Sequence, residues 1–299
     1  MAGSYAVIAR QRKPPRNTSG AGSIEMTMMM MMTEELVTIP AADYHAAAGY
    51  GSTQVKAAAK SIGHLLSLRS LDSAAVIIGS AVHDLVLLGP EAFQAQWKVL
   101  PPMIKTRNCA AYKNIMEGKD KRQALLAEES VRVAAMAVSV LSHEVAGKII
   151  LAARERGRTE VSTWWTEQDV LCKARADVLE EDMVWDLKTT SEDAMADRFS
   201  RAIAHFDYHI QAAHYLPGFQ PHLSPWQYGG APWGWIVVES LPPHNTSVFQ
   251  LDSESLAIGQ QERRTALERI RKYQADPAKS TYGYRPHIEM VGLPQWRKR

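Results

Sequence analysis

Two β-prone runs, Val170 to Val178 and Met183 to Lys188, are separated only by the acidic turn Leu179-Glu180-Glu181-Asp182. A turn that short pairs them as a hairpin. Upstream, Glu160-Val161-Ser162-Thr163-Trp164-Trp165 reads as a further strand, and downstream so do Trp233 to Ser240 and Val248 to Leu251. The rest of the chain has helical period. Ser52 is placed to cap a helix carrying Val55, Ala58, Ala59, Ile62 and Leu66, and Ala74 to Leu88 forms a second, strongly apolar helix. Ala127, Val131, Ala134, Val138, Leu141 and Val145 step by three or four along a long amphipathic helix. Ser191 is placed to cap another helix, one more covers about His205 to Leu216, and Asp252 opens the last, ending near Ala275. Strands set among helices predict one α/β domain, a central mixed β-sheet flanked by helices.

Composition narrows what such a domain does. With 299 residues, 46% hydrophobic and 22% charged, the chain builds a core, which excludes a wholly disordered chain and a collagen-like or coiled-coil rod. The longest apolar stretch, Ala74 to Gly89, is broken by Ser80, His83 and Asp84, whereas a membrane span needs about 20 mostly apolar residues. Two cysteines, Cys109 and Cys172, make no disulfide framework, and a reducing cytoplasm is the expected setting. A net charge of +2 gives no global steer, so any nucleic-acid contact must gather positive charge locally. Pro101 to Arg122 does so, with Lys105, Arg107, Lys113, Lys119, Lys121 and Arg122 against Glu117 and Asp120. Such a loop is either simply solvated or a holder of a phosphate backbone. Residues 1–33, with Pro14-Pro15, a Gly/Ser-rich stretch and a methionine run, read as a disordered arm, either an upstream extension or a basic arm that touches DNA. Residues 34–299 read as a single domain.

The chemistry concentrates on the hairpin. Asp177 and Asp186 fall at the same end of its two strands, and alternation puts Asp186 and Lys188 on one side while Leu187 turns to the core. Two carboxylates and an ammonium then converge. A hard cation such as Mg²⁺ takes oxygen ligands and keeps waters, leaving room for a phosphate oxygen. An acid-x-Lys triplet is weak on its own: Glu117-Gly118-Lys119 is one, in a polar loop. The Asp186 triplet differs in its strand setting, between Val184, Trp185 and Leu187, where the plainer alternative is a surface salt bridge. His83 lies in an apolar helix behind Gly79, Ser80 and Ala81, small residues that admit a neighbouring element; a lone helix histidine otherwise belongs to a core. Glu160, starting its strand, offers another carboxylate, and Gln211 and Tyr215 share one helix face.

Taken with their order, these segments resemble the PD-(D/E)xK nuclease superfamily, and within it the nuclease domain of exodeoxyribonuclease VIII (RecE) and related phage exonucleases. The likeness runs from about Ile39 to Trp296. It is carried by Tyr44-His45, Gly51-Ser52-Thr53-Gln54-Val55, Gly79-Ser80-Ala81-Val82-His83, Lys105-Thr106-Arg107-Asn108 and Arg175-Ala176-Asp177. It continues through Asp186-Leu187-Lys188-Thr189-Thr190, Tyr208-His209-Ile210-Gln211 with Tyr215, and Leu293-Pro294-Gln295-Trp296. The resemblance implies a restriction-endonuclease-like core with His83, Asp177, Asp186 and the Leu187 carbonyl as metal ligands. It makes Lys188 the catalytic lysine, Glu160 an accessory acid, and Gln211 and Tyr215 the family's Gln-x-x-x-Tyr element. Ser52, Lys105, Arg107, Tyr208 and His209 would contact DNA. Ala176 stands where the superfamily's name has proline. The implied activity is a Mg²⁺-dependent exodeoxyribonuclease, with Mn²⁺ as substitute and one or two ions per site. It would digest linear duplex DNA 5′ to 3′ and leave 3′ single strands for phage-type recombination. A RecT-like single-strand annealing protein is the implied partner, and a tetrameric ring, or else a trimeric one, the implied assembly.

Other readings stay open. A Cas4-like single-strand exonuclease or an endonuclease would keep the fold, although two cysteines cannot supply the four that hold an iron–sulfur cluster. A non-catalytic DNA-binding ring would not need the Asp177, Asp186 and Lys188 set intact. His205 and His209 have zinc-site spacing, but Phe206 stands where a zinc hydrolase carries glutamate. The sequence holds no Gly-x-x-x-x-Gly-Lys-Ser/Thr stretch, which argues against a P-loop motor.

Overall fold

The structure is a computed structural model that describes residues 35–69, 73–118, 120–278 and 288–293. The expected arm and Pro294-Gln295-Trp296 lie outside these residues. In chain order the elements are β1 (Val37–Thr38), α1 (Ala41–Ala46), α2 (Ser52–Lys60), α3 (Ile62–Leu66), α4 (Ala74–Leu87), α5 (Pro90–Gln96) and β2 (Lys98–Val99). There follow α6 (Ala110–Ile115), β3 (Ala124–Leu125), α7 (Ala127–Ser142), α8 (Ala146–Glu155), β4 (Thr159–Glu167), β5 (Val170–Leu179) and β6 (Val184–Thr190). The chain closes with α9 (Ala196–His205), α10 (Tyr208–Phe219), β7 (Trp233–Glu239), β8 (Thr246–Gln250) and α11 (Ser253–Ala275).

The main sheet has the order β1-β4-β5-β6-β7-β8, antiparallel throughout except for the parallel β6–β7 pair. That parallel pair requires a crossover, and α9 and α10 supply it. It is the mixed, helix-flanked sheet expected from the hairpin and the interleaved helices. On one face, Ile78, Val82 and Val86 of α4 pack with Val133, Met136 and Val140 of α7 and Ile150 of α8, over Val178, Leu187 and Ile236 of the sheet. On the other, Phe199 of α9 and Ala212, Tyr215 and Phe219 of α10 cover Val184, Trp233 and Trp235. Beyond α10, α2 and α11 meet around Val55, Ile210 and Leu267. No single helix among the described residues is long and apolar enough to cross a membrane.

Several local expectations shift, each for a physical reason. Gly51, not Ser52, occupies the N-cap of α2: its N–H donates to Gln54 Oε1 at 2.8 Å, which leaves the Ser52 side chain to turn inward at the first helical position. Ser191 caps nothing; α9 begins only at Ala196, because Glu239 Oε1 captures the Ala194 N–H at 2.9 Å and holds the preceding chain extended. The helix expected from His205 is broken at Asp207, whose φ of 55° is left-handed, and α10 then runs through Pro217 to Phe219. The basic stretch is no bare loop: α6 and β3 enclose a small core of Leu100, Ile104, Tyr112, Met116 and Ala124. In α7 the expected apolar stripe faces outward, with Val131 70% and Val138 65% exposed. The helix is apolar on two stripes, and buried Glu129, locked to Arg107, fixes which one turns in.

The second helical layer is tied to the sheet through His214. Its Nε2–H donates to the carbonyls of Tyr50 at 3.0 Å and Lys173 at 3.3 Å, while Nδ1 accepts from Arg263 Nε at 3.4 Å. Arg263 in turn forks onto Glu167 at 2.9 and 2.6 Å. Gly259 permits this crossing, since a Cβ there would meet the His209 carbonyl at 2.3 Å. Burial, then the Arg263 charge, lowers the His214 pKa to about 3. The unfolded chain therefore binds a proton that the folded one refuses once pH falls below the ordinary histidine value of about 6.5, and stability falls with it. We predict a loss approaching about 1.4 kcal/mol per pH unit between pH 6 and 4 from this group. His214→Gln should flatten that slope in denaturant titrations at several pH values; an unchanged slope would count against the assignment.

Candidate active site

Three carboxylates lie in one row across the sheet. The β4–β5 register pairs Thr159 with Val178 and Val161 with Ala176, which sets Glu160 level with Asp177. The β5–β6 register pairs Val178 with Trp185 and carries the same level on to Asp186. The ladder is interrupted along this row. Glu160 has a φ of 57°, rare for a residue other than glycine. The β5–β6 pairing stops at Val178 and Trp185, and beyond it Asp177 Oδ2 accepts the Leu187 N–H at 2.7 Å. A strand residue's N–H and C=O leave by the same edge, so the Leu187 carbonyl faces the same break. The Leu187 side chain goes the other way, into the core.

His83 reaches this row from α4, with Nδ1 3.5 Å from Asp177 Oδ2. Gly79, one turn earlier, faces β6, where a Cβ would come into contact with Thr189 Oγ1 at 3.4 Å. One ligand atom each from His83, Glu160 and Asp177 lies within 4.8 Å of the others. Glu160 is held by Arg175, whose Nε pairs with Glu160 Oε2 and whose other arm donates to the Ile39 carbonyl at 2.7 Å. Asp186, 3% exposed, receives Gln211 Nε2 on Oδ1 at 2.7 Å. Its Oδ2 is ion-paired with Lys188 but takes no well-directed hydrogen bond.

The electrostatics follow from this packing. Burial first, then the Asp186 charge, raises the Asp177 pKa to about 7, and Lys188 and then the Leu187 N–H oppose the shift. Burial, then Asp177, likewise raises Glu160, against Arg175. His83 is lowered, by burial and then by Lys188, and stays neutral. For Lys188, burial works against the charge, but Asp186 and Asp177 outweigh it and hold the ammonium protonated. Carboxylates that resist ionisation and a neutral imidazole fit a hard divalent cation, which Asp177, His83 and Glu160 would hold, with Asp186 and the Leu187 carbonyl beside them.

The other predicted residues separate into near and far. Tyr208 is near: Lys188 Nζ lies 5.0 Å from its ring centroid. Tyr215 packs edge-on against Trp233 at 5.5 Å; burial raises its pKa to about 12, and the Ser52 hydroxyl opposes the shift. Ser52 and Tyr215 thus face each other beside the site. Arg107 forks onto Glu129 at 2.5 and 2.7 Å and donates to the Ala124 carbonyl at 3.1 Å, so its charge is spent inside the protein rather than offered to DNA. Lys105 is exposed on the same lobe. His209 Nε2 lies 2.8 Å from Glu262 Oε2, and the helix break at Asp207 removes the shared face that a His205–His209 zinc pair needs. Sequence reasoning missed Lys56, whose Nζ lies 5.5 Å from the Tyr208 ring centroid. Its signal was its spacing, one turn from Ser52 on the same helix face.

If the row is a cation site, adding Mn²⁺ or Mg²⁺ should raise the unfolding midpoint, by about 2.7 kcal/mol of stability at a hundredfold excess over Kd. Asp177→Asn should abolish that gain in calorimetry, yet leave the metal-free midpoint unchanged or higher because it relieves the crowded acids. A gain that persists in the variant would place the ion elsewhere.

Comparison with known proteins identifies the family. No curated protein matches the chain. A solved structure of a candidate exonuclease from Eubacterium rectale aligns over 85% of this chain and 97% of its own, at 12% identity and a TM-score of 0.49. The family described as "PDDEXK-like domain of unknown function (DUF3799)" matches residues 52–284, which take in the whole acidic row and Lys188. The chain therefore belongs to this PDDEXK-like family, and with it to the PD-(D/E)xK nuclease superfamily.

Proposed function

We propose that the protein is a divalent-metal-dependent exodeoxyribonuclease that enters linear duplex DNA at an end, digests one strand 5′ to 3′ and leaves a 3′ single strand for recombination. The observation that carries the nuclease reading is the Glu160–Asp177–Asp186 row with Lys188 paired to its end. The direction of digestion follows the sequence resemblance, as does Mg²⁺ as the working ion. A bound cation would supply Lewis acidity to the phosphate oxygens. The protein's own groups do the rest. Lys188, its ammonium favoured by Asp186 and Asp177, offers positive charge to the phosphorane oxygens and a donor that orients the attacking water. Gln211 fixes the Asp186 carboxylate, so that Oδ2 stays turned to the site. Arg175 does the same for Glu160.

End-labelled linear duplex should disappear with Mg²⁺ while a closed circle of the same sequence survives. Lys188→Ala or Asp186→Ala should slow the loss by about a hundredfold to a thousandfold, the range seen when one charge-stabilising group is removed. Cutting of the circle would favour an endonuclease instead. Digestion confined to single strands would favour a Cas4-like enzyme, and DNA binding without hydrolysis a non-catalytic ring.

We also propose that the enzyme works in the cytoplasm as a closed ring, a tetramer or else a trimer, and hands its product to a single-strand annealing protein. Support for self-association is the outward stripe of α7, where Val131 and Val138 stand a heptad apart and largely exposed. Light scattering should give a multiple of the 33.2 kDa chain, and Val131→Asp combined with Val138→Asp should lower that mass. A single-chain mass for the unaltered protein would refute the ring.

A further inference from the structure

Phe206 lies in the connection between α9 and α10 and is 50% exposed. The fold holds this apolar side chain outward by specific contacts. Asp207 beside it adopts the left-handed φ of 55°, a conformation that residues other than glycine rarely take. The Asp207 carboxylate pairs with Lys60 at 3.1 Å. One turn earlier on α2, Lys56 Nζ donates to the Phe206 carbonyl at 3.1 Å. Two lysines from one helix face thus clamp the elbow, and a cavity of about 160 Å³ opens between them, Asp207 and Ile210.

The ring is stacked toward the active site. Its centroid lies 5.5 Å from that of Tyr208 at an interplanar angle of 26°. The Tyr208 ring in turn carries Lys188 at 5.0 Å and Lys56 at 5.5 Å. Phe206 is therefore one ring away from the Lys188–Asp186 pair, between Tyr208 and the His205 ring, whose centroid lies 4.6 Å away at an interplanar angle of 84°. Lys188 spends its charge on Asp186, whereas Lys56 makes no ion pair among the described residues. Its hydrogen-bond and ring partners are a carbonyl and a π face; burial, then Lys188, lowers its pKa to about 8 against Asp186 and Asp207, which leaves it a cation at neutral pH. A half-exposed aromatic ring beside a cation that has no ion-pair partner of its own among the described residues, next to carboxylates that fit a metal, matches one chemical class. That class is a nucleotide, which pairs a flat base with an anionic phosphate.

We propose that Phe206 is the nucleobase platform of this site: the base of a nucleotide flanking the cleaved bond packs against the exposed part of its ring, and Lys56 takes that nucleotide's phosphate. The inference rests on the nuclease reading and assigns it a substrate-positioning surface. Because every base has a π face, the platform holds a strand without reading its sequence.

The test uses the full chain and short duplexes with a single-stranded overhang, carrying 2-aminopurine at successive positions from the end. Fluorescence is read in Ca²⁺ and cleavage in Mg²⁺. At one position the unaltered protein and Phe206→Trp should quench the probe, and Phe206→Ala should not. Phe206→Ala should also cut about tenfold more slowly, and an abasic nucleotide at that position should slow the unaltered protein but not Phe206→Ala any further. An unchanged unfolding midpoint would separate this loss from misfolding. Equal quenching and equal cleavage in Phe206→Ala, with Lys188→Ala inactive, would overturn the platform and leave the nuclease standing. Phe206-dependent quenching with no hydrolysis under any divalent ion would keep the platform and remove the nuclease. Neither quenching nor hydrolysis would overturn both.

Discussion

A side chain takes the place of a backbone partner at the centre of this fold. Where β5 and β6 stop pairing, the Leu187 N–H is satisfied by the Asp177 carboxylate at 2.7 Å. A buried backbone N–H left without a partner costs about 1–3 kcal/mol, so the break in the ladder is tolerated because Asp177 fills it. That substitution has consequences in three directions. It anchors the carboxylate within 3.5 Å of His83, it turns Asp186 and Lys188 together on the facing strand, and it keeps Leu187 in the core. The gap in the sheet and the acid that closes it are the same feature as the site.

The row is electrostatically incomplete as the protein alone builds it. Two like charges within 4.8 Å, at an effective dielectric constant of about 20, repel by about 3 kcal/mol or more. A charge-assisted hydrogen bond returns about 1.5–3 kcal/mol, and the row has few of them: Arg175 serves Glu160, and Lys188 and Gln211 serve Asp186. Asp177 accepts the Leu187 N–H and faces a neutral imidazole; burial and then the Asp186 charge, opposed by Lys188 and that N–H, raise its pKa to about 7. Either a proton or a cation settles there, and a site that carries His83 and the Asp186 carboxylate beside it suits the cation.

What the sequence revealed and what it hid divide along the range of the interactions involved. The sheet and the pairing of Asp186 with Lys188 follow from alternation along a strand, and Gln211 reaches Asp186 from a helix face that the spacing already defined. The far side of the site was hidden because it depends on contacts between distant segments. Arg107 looked like a DNA contact because its neighbours in sequence are basic, yet its partner Glu129 lies 22 residues away in α7. The same pair sets the roll of α7, so Val133 and Met136 enter the core and Val131 does not, although either stripe satisfies the helical period. The elbow at Asp207 carries no glycine to mark a left-handed residue, and the pull of Lys60 on its carboxylate becomes visible only when α2 is in place.

Helix α2 shows how one short element serves both the core and the site. Val55 and Ala58 are fully buried against α10 and α11, and Arg269 caps the far end by donating to the Ala58 carbonyl at 3.1 Å. With that face fixed, positions 52, 56 and 60 fall on the other, each a turn apart. Ser52 then meets Tyr215, Lys56 meets Tyr208 and the Phe206 carbonyl, and Lys60 meets Asp207. A rotation of α2 that uncovered Val55 would withdraw all three at once. Packing of an apolar helix face, and not a polar network in the site, therefore determines where the lysines stand relative to the acidic row.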